Sequence, residues 1–139
     1  MKIAVRYYSR TGNTKKLAEA IAKAVHAEAK TTDEPLREDV DILFLGSSVY
    51  ANGVDRNIKM FIQSLNVNVG KVINFSTAAL VKSTYKQVNK LLTEKNIPLA
   101  KEEFYCRGSF ALLHRGRPDD QDLKAAMSFA AAIAGSPTA

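Results

Sequence analysis

Short apolar segments typical of buried strands alternate along this chain with segments of helical periodicity. The clearest strand, VDILFLGSS at residues 40–48, is almost continuously apolar, as strands are when helices cover both faces of a parallel sheet. The other predicted strands lie at residues 2–8, 71–76 and 102–113, with one short strand within residues 28–39. Four helices are predicted. The first spans residues 13–27, the second begins after Asp55, the third is centred on residues 85–92, and the fourth begins after Pro118. This alternation predicts parallel strands joined by right-handed crossovers, an α/β three-layer sandwich with a five-stranded sheet.

Length and composition fit a single domain of this class, spanning residues 1–139. The chain has 139 residues, of which 46% are apolar and 24% are charged, enough to build a substantial core. No apolar run approaches the roughly 18 residues that a membrane-spanning helix requires. The N-terminal MKIAV runs directly into a strand-like segment, without the features of a signal peptide. We therefore expect a cytoplasmic protein without membrane insertion.

Few residues in this chain are suited to metal or thiol chemistry. Cys106 is the only cysteine, so no intrachain disulfide or paired-thiolate zinc site can form. His26 and His114 are the only histidines, and neither has a second candidate ligand nearby in the sequence. The sequence therefore predicts no metal site.

The formal net charge of +6 comes from lysines and arginines that are spread along the chain. A positive protein attracts polyanions weakly and nonspecifically. No aromatic residues alternate with these cations, as a surface for stacking nucleic-acid bases requires. We therefore expect no specific binding of nucleic acid.

The most informative local feature is the run SRTGNT at residues 9–14, between the first strand and the first helix. Ligands of parallel α/β sheets bind at the carboxyl ends of the strands, and a helix N-terminus attracts anions through its free N–H groups. Gly12 permits a close backbone approach, and Ser9, Thr11, Asn13 and Thr14 add neutral donors. The run lacks the order GxxxxGK[ST] and the order GxGxxG. It predicts a loop that holds a phosphate monoester.

This run resembles a motif of the flavodoxin family. Ser9-Arg10-Thr11-Gly12-Asn13-Thr14 matches the family's [ST]-x-T-G-x-[ST] loop, which binds the phosphate of flavin mononucleotide (FMN). The element order and the chain length extend the resemblance over essentially the whole sequence. The resemblance implies a flavodoxin-like, doubly wound sheet in the order 2-1-3-4-5, with FMN as the cofactor at its carboxyl edge.

The resemblance also implies that two further loops enclose the flavin ring. The first follows the third strand and consists of Val49, Tyr50, Ala51, Asn52 and Gly53; here Tyr50 is a candidate for stacking on the ring. The second follows the fourth strand and begins with Ser76, Thr77 and Ala78, which would offer backbone contacts. Electron-carrier flavodoxins commonly place an aromatic residue in this second loop, and this sequence does not.

The function implied by the resemblance is electron transfer by bound FMN to a redox partner protein of unknown identity. Because the flavin performs the redox chemistry, no side chain needs a catalytic role. The chain is more typical of a carrier than of a turnover enzyme, although an NAD(P)H-dependent quinone-type reductase stays open. Flavodoxins are usually acidic, whereas this protein is positive and would repel basic partners. The alternative is a flavodoxin-fold module for phosphate binding or protein interaction, without redox activity.

Two other classes of protein that bind phosphate groups are excluded because the residues they require are missing at particular positions. A response-regulator receiver domain needs acidic residues after the first strand and an aspartate after the third, where this chain has Tyr7, Tyr8 and Ser9, and then Ser47 and Ser48. A low-molecular-weight phosphatase needs an arginine six residues after its cysteine, and Leu112 stands in that place.

Overall fold

The computed structural model describes residues 1–50, 53–78, 83–108 and 116–135. The strands are β1 (Ile3–Tyr7), β2 (Ala29–Thr31), β3 (Val40–Tyr50), β4 (Gly53–Val54), β5 (Val69–Ala78) and β6 (Leu99–Arg107). The helices are α1 (Asn13–Ala24), α2 (Arg56–Gln63), α3 (Tyr85–Glu94) and α4 (Asp120–Gly135).

Five of these strands form a parallel sheet in the order β2-β1-β3-β5-β6. In chain order of the parallel strands this is 2-1-3-4-5, so the predicted flavodoxin-like topology is confirmed. Strand β4 was not predicted: two residues pair antiparallel with the end of β3, opposite Val49 and Tyr50. The carboxyl ends of β1, β3 and β5 lie side by side, because the three strands are parallel neighbours.

The sheet has a buried core on each face, which gives the predicted three layers. Alternation along the strands sends Val5, Phe44 and Phe75 to one face and Leu43, Leu45 and Val72 to the other. The first face is covered by α1 and α4, through Leu17, Ala18, Ile21, Ala126, Ala130 and Ile133. The second face is covered by α2 and α3, through Ile58, Phe61, Ile62, Val88 and Leu92.

The last strand differs from its prediction in both its ends and its irregularity. The sequence predicted residues 102–113 with an interruption at Gly108, whereas β6 is Leu99–Arg107. The register against β5 shifts between the pairs Val72–Leu99 and Asn74–Glu103, so the irregularity lies near the start of β6. The prediction placed it at Gly108 because glycine is a common sign of a bulge. Residues 109–113 lie outside the described residues.

Arg6 in β1 is buried, with 8% of its surface exposed. Its Nε donates to the Glu34 carbonyl oxygen at 2.8 Å, and its Nη1 donates to the Val5 carbonyl oxygen at 3.0 Å. Burial lowers the pKa of Arg6, while the nearby charges of Glu34 and Glu28 act in the opposite direction. Arg6 therefore ties the segment between β2 and β3 to the sheet.

Among the described residues, no helix combines the length and the apolar character needed to cross a membrane.

Candidate functional site

The loop between β1 and α1 is held by a glycine in a left-handed conformation. Gly12 has φ of +91° and is the N-cap residue of α1. Its backbone N–H donates to the Ser9 hydroxyl oxygen at 2.9 Å, which closes the turn. Because glycine has no side chain, no N-cap side chain hydrogen bonds to the start of α1. The first turn of a helix carries N–H groups without intrahelical partners, so this helix start suits an anion.

A buried contact joins this loop to the end of β5. The hydroxyl oxygens of Thr14 and Thr77 lie 2.8 Å apart and share a hydrogen bond, and both residues are almost fully buried. Gly108 packs against the same place, since a Cβ at this position would lie 2.9 Å from Asn13 Nδ2 and 3.2 Å from Thr77 Cβ. These contacts therefore hold the segment after β1 in a fixed position relative to the carboxyl ends of β5 and β6.

The predicted phosphate-loop residues divide into an outer and an inner group. Arg10 and Thr11 are exposed, and Ser9 and Gly12 are partly exposed. Asn13 and Thr14 are buried, and the Thr14 hydroxyl is engaged with Thr77. The side chains of this run that reach solvent are thus those of Ser9, Arg10 and Thr11.

The residues predicted to enclose the flavin ring are described only in part. Val49 and Tyr50 are the last two residues of β3 and pair with β4, while Ala51 and Asn52 lie outside the described residues. Ser76, Thr77 and Ala78 close β5 beside them. All three are buried, and the Ser76 hydroxyl has no hydrogen-bond partner within the described parts of the chain.

A hydrogen-bonded cluster below this edge was missed by the sequence analysis. Ser47 Oγ donates to Thr84 Oγ1 at 2.9 Å, and Asn74 Nδ2 donates to the same oxygen at 3.0 Å. All three residues are buried. Thr84 is the N-cap residue of α3, yet its hydroxyl makes no capping bond and faces the sheet. The signal available in the sequence was Asn74, a polar residue inside a strand predicted to be buried.

The single cysteine has no feature of a nucleophile. Cys106, in β6, is partly buried. Burial, reinforced by the charge of Asp122, raises its pKa to about 12, so the thiol stays protonated at neutral pH. No three His, Cys, Asp or Glu side chains come together as a metal site in the ranges that the structure describes.

The arrangement fits the phosphate of FMN. An anion at the start of α1 would meet a helix terminus without a side-chain cap, a glycine in left-handed conformation and the hydroxyls of Ser9 and Thr11. Lys15 and Lys16 in the first turn are exposed and add positive charge. The site lies at the carboxyl edge, where neighbouring parallel strands end and where such sheets bind ligands.

Solved structures of flavodoxins share this fold. A flavodoxin from the domain Archaea is 18% identical with a TM-score of 0.78, and the match covers 96% of each chain. Oxidised Flavodoxin 1 from Bacillus cereus is 18% identical with a TM-score of 0.71, over 94% of this chain and 95% of that one. Oxidised Flavodoxin 2 from the same organism is 19% identical with a TM-score of 0.72, over 96% and 98%.

A family model described as a flavodoxin domain matches residues 4–115, which include the loop at residues 9–14. No sequence of a curated protein matches the chain significantly. Neither the family model nor the structures favour the alternative of a module without redox activity. The chain therefore belongs to the flavodoxin family, and it is an FMN-binding electron-transfer protein.

Proposed function

We propose that residues 9–14 bind the phosphate of FMN and thereby anchor the cofactor at the carboxyl edge. The observation that carries this proposal is Gly12, a residue in the left-handed conformation whose lack of a side chain leaves the start of α1 without a side-chain cap. The hydroxyls of Ser9 and Thr11 and the helix N–H groups are the proposed donors. The hydroxyl of Thr14 is proposed to support these donors rather than to contact the phosphate, because its hydrogen bond to Thr77 holds the loop in place.

The flavin ring is proposed to lie between the ends of β3 and β5. Val49, Tyr50, Ala51 and Asn52 form one wall, and Ser76, Thr77 and Ala78 form the other. The Thr14–Thr77 contact supports this arrangement, because it links the phosphate loop directly to the second wall. Bound FMN supplies the electron acceptor and donor, while the protein supplies binding, orientation and access.

The electrons pass to or from a redox partner protein, as membership of the family implies. Three other expectations from the sequence stay predictions: a single domain over residues 1–139, a cytoplasmic location and no specific binding of nucleic acid. Cell fractionation followed by immunodetection would test the location. An NAD(P)H-dependent quinone-type reductase would be recognised by steady consumption of NAD(P)H in the presence of a quinone.

The experiment that tests the proposed site starts with the visible absorption spectrum of desalted protein before and after addition of FMN. The spectrum of bound flavin should stay with the protein through gel filtration. The double variant Ser9→Ala with Thr11→Ala should weaken FMN binding by at least about 100-fold, because it removes two hydrogen bonds to a charged group and each contributes about 1.5–3 kcal/mol.

The matched control is Thr93→Ala on the exposed side of α3, where the Thr93 hydroxyl bonds only to the Asn89 carbonyl oxygen within its own helix. This variant should bind FMN like the unaltered protein. If the protein leaves FMN unbound, electron transfer by FMN is contradicted. If FMN binds but the double variant binds it equally well, the assignment of the phosphate to residues 9–14 is wrong.

A further inference from the structure

The first turns of three helices carry positive side chains where the helix itself favours negative ones. In α1, α2 and α3 the first turn contains no acidic residue. The five cationic residues in these turns, all exposed, are Lys15, Lys16, Arg56, Lys59 and Lys86; we refer to them as the basic edge. A helix N-terminus is its positive end and disfavours cations. The interaction of these cations with the dipoles of their own helices is therefore unfavourable.

Helix α4 shows the ordinary arrangement in the same molecule. Its first turn contains Asp120 and Asp122, and Asp119 accepts a hydrogen bond from the Asp122 N–H. Arg117, which precedes this helix, is paired with Asp122 at 2.6 and 2.8 Å. The overall charge of +6 therefore does not force cations onto every helix start.

The basic edge faces one side of the molecule. Helices α1, α2 and α3 each begin just beyond the carboxyl ends of the parallel strands, so their first turns share the edge proposed for FMN. Helix α4 follows β6 and begins at the same edge, beside β6, where Arg117 is paired with Asp122. Asp55, on the same edge, is engaged with the N–H and the side chain of Asn57. At the amino edge the charges are mixed, as in the pair of Lys2 with Glu38 at 2.8 Å.

An exposed apolar side chain lies within the basic edge. Arg56, Lys59 and Met60 occupy positions i, i+3 and i+4 of α2, so their side chains are neighbours on its outer side. Met60 is 53% exposed, and methionine adapts its shape to different contact surfaces. An apolar contact surrounded by charges of one sign is suited to a protein surface of the opposite sign.

We infer that the basic edge docks a redox partner protein whose own electron-transfer site is surrounded by aspartates and glutamates. This inference rests on the proposed function, because it places the partner next to the proposed FMN site. Opposite charges raise the rate of encounter and orient the partner toward that edge. A partner with a basic surface would be repelled. Nucleic acid is the less suitable polyanion, since Tyr85, the aromatic residue beside Lys86, is half-buried with its hydroxyl bonded to the Ala100 carbonyl oxygen, and these three first turns present no exposed aromatic side chain.

The test uses the FMN-loaded protein, labelled with ¹⁵N, and an acidic plant-type [2Fe–2S] ferredoxin as the probe. Amide signals of Lys15, Lys16, Arg56, Lys59, Met60 and Lys86 should shift or broaden during the titration. The affinity should fall about tenfold as salt increases from about 20 to about 200 mM, because salt screens exposed charges. Basic cytochrome c should cause no such changes.

Two charge-reversal variants separate the docking surface from overall charge. Lys59→Glu should weaken association with the ferredoxin by about tenfold, while its melting temperature stays equal or rises, since the helix N-terminus favours the new carboxylate. Lys101→Glu makes the same change of charge on the exposed amino-terminal part of β6 and should have little effect. Both variants should retain FMN.

Equal association of the two variants with the ferredoxin, or perturbed amides away from the basic edge, would overturn the inference. So would tighter binding of a double-stranded DNA oligonucleotide than of the ferredoxin at the same salt concentration. The titration reports association whether or not flavin is bound. Failure to bind FMN would therefore contradict the proposed function, while the titration alone decides the docking surface.

Discussion

Helices α1 and α4 lie side by side on the same face of the sheet and begin in opposite ways. Helix α1 starts at Gly12, with no cap side chain and with two lysines in its first turn. Helix α4 starts with a reciprocal pair of hydrogen bonds, from the Asp122 N–H to Asp119 Oδ1 and from the Asp119 N–H to Asp122 Oδ2, both at 2.9 Å. The start of α4 is capped by its own side chains, whereas the start of α1 has no side-chain cap.

This difference shows how one fold separates stability from binding. The carboxylates of Asp119 and Asp122 accept hydrogen bonds from backbone N–H groups at the start of α4, and their negative charges complement the helix dipole. At α1 the same stabilisation is missing, and an anion would supply it. Changes at α4 should therefore affect stability and leave the cofactor site alone, while changes at α1 should affect both.

The largest effect is expected for Gly12→Val. The variant should lose about 2 kcal/mol of unfolding free energy, because side-chain-bearing residues rarely adopt the left-handed conformation that Gly12 has, and β-branched residues least of all. No atom lies within 4 Å of a Cβ at this position, so the loss would come from the backbone alone. Urea unfolding of the flavin-free protein measures it, and FMN affinity should fall as well.

Gly12→Asn is the control for this prediction. Asparagine tolerates the left-handed conformation, so this variant should keep most of the stability and FMN affinity. If Gly12→Val proved as stable as Gly12→Asn, the conformation assigned to Gly12 would be wrong.

A smaller effect is expected for Asp119→Ala at the start of α4. Removal of this cap should lower the free energy of unfolding by about 1 kcal/mol, because the Asp122 N–H loses its acceptor. FMN affinity should stay within about twofold, since the cap lies outside the proposed phosphate loop. Urea unfolding and a flavin titration of the same sample give both values. A large loss of FMN affinity would show that the two helix starts are not independent.

The smallest effect is expected from acid. Hydrogen bonds from Arg117, opposed in part by burial, lower the pKa of Asp122 below its ordinary value of 3.8. Its contribution to stability is therefore complete above pH 3.8 and is lost as the pH falls through the lower pKa of the folded state. The stability difference between the unaltered protein and Asp122→Asn should shrink as urea unfolding is repeated at decreasing pH below that value. A difference that stays constant over this range would contradict the role given to the Arg117–Asp122 pair.

The sequence was sufficient for the fold and for the position of the loop between β1 and α1 that is proposed to bind phosphate. The strand order follows from elements whose periodicity is strong, such as β3, and the loop depends on residues that are adjacent in the chain. The helices that begin after Asp55 and after Pro118 were recognisable for the same local reason, and in the structure Asp55 and Asp119 accept backbone hydrogen bonds at these helix starts.

Features formed by distant residues were not predictable in this way. Hydrogen bonds join residues from two strands and the start of a helix: Ser47, Asn74 and Thr84. Nothing in the local sequence around these residues predicts that they bond to one another. Thr84 is the N-cap residue of α3, yet its hydroxyl bonds to Ser47 and Asn74 of the sheet. Both boundaries of β6 were also misplaced. Pairing with β5 decides where the strand begins, and Gly108 was a misleading local sign of an irregularity within it.

The most direct test of the proposed phosphate site compares the affinity of the flavin-free protein for FMN and for riboflavin, which differ by the phosphate. If residues 9–14 hold the phosphate, FMN should bind at least about 100-fold more tightly, the equivalent of two hydrogen bonds to a charged group. Gly12→Val should reduce this ratio, and Asp119→Ala should leave it unchanged. Equal affinities for FMN and riboflavin would contradict the account.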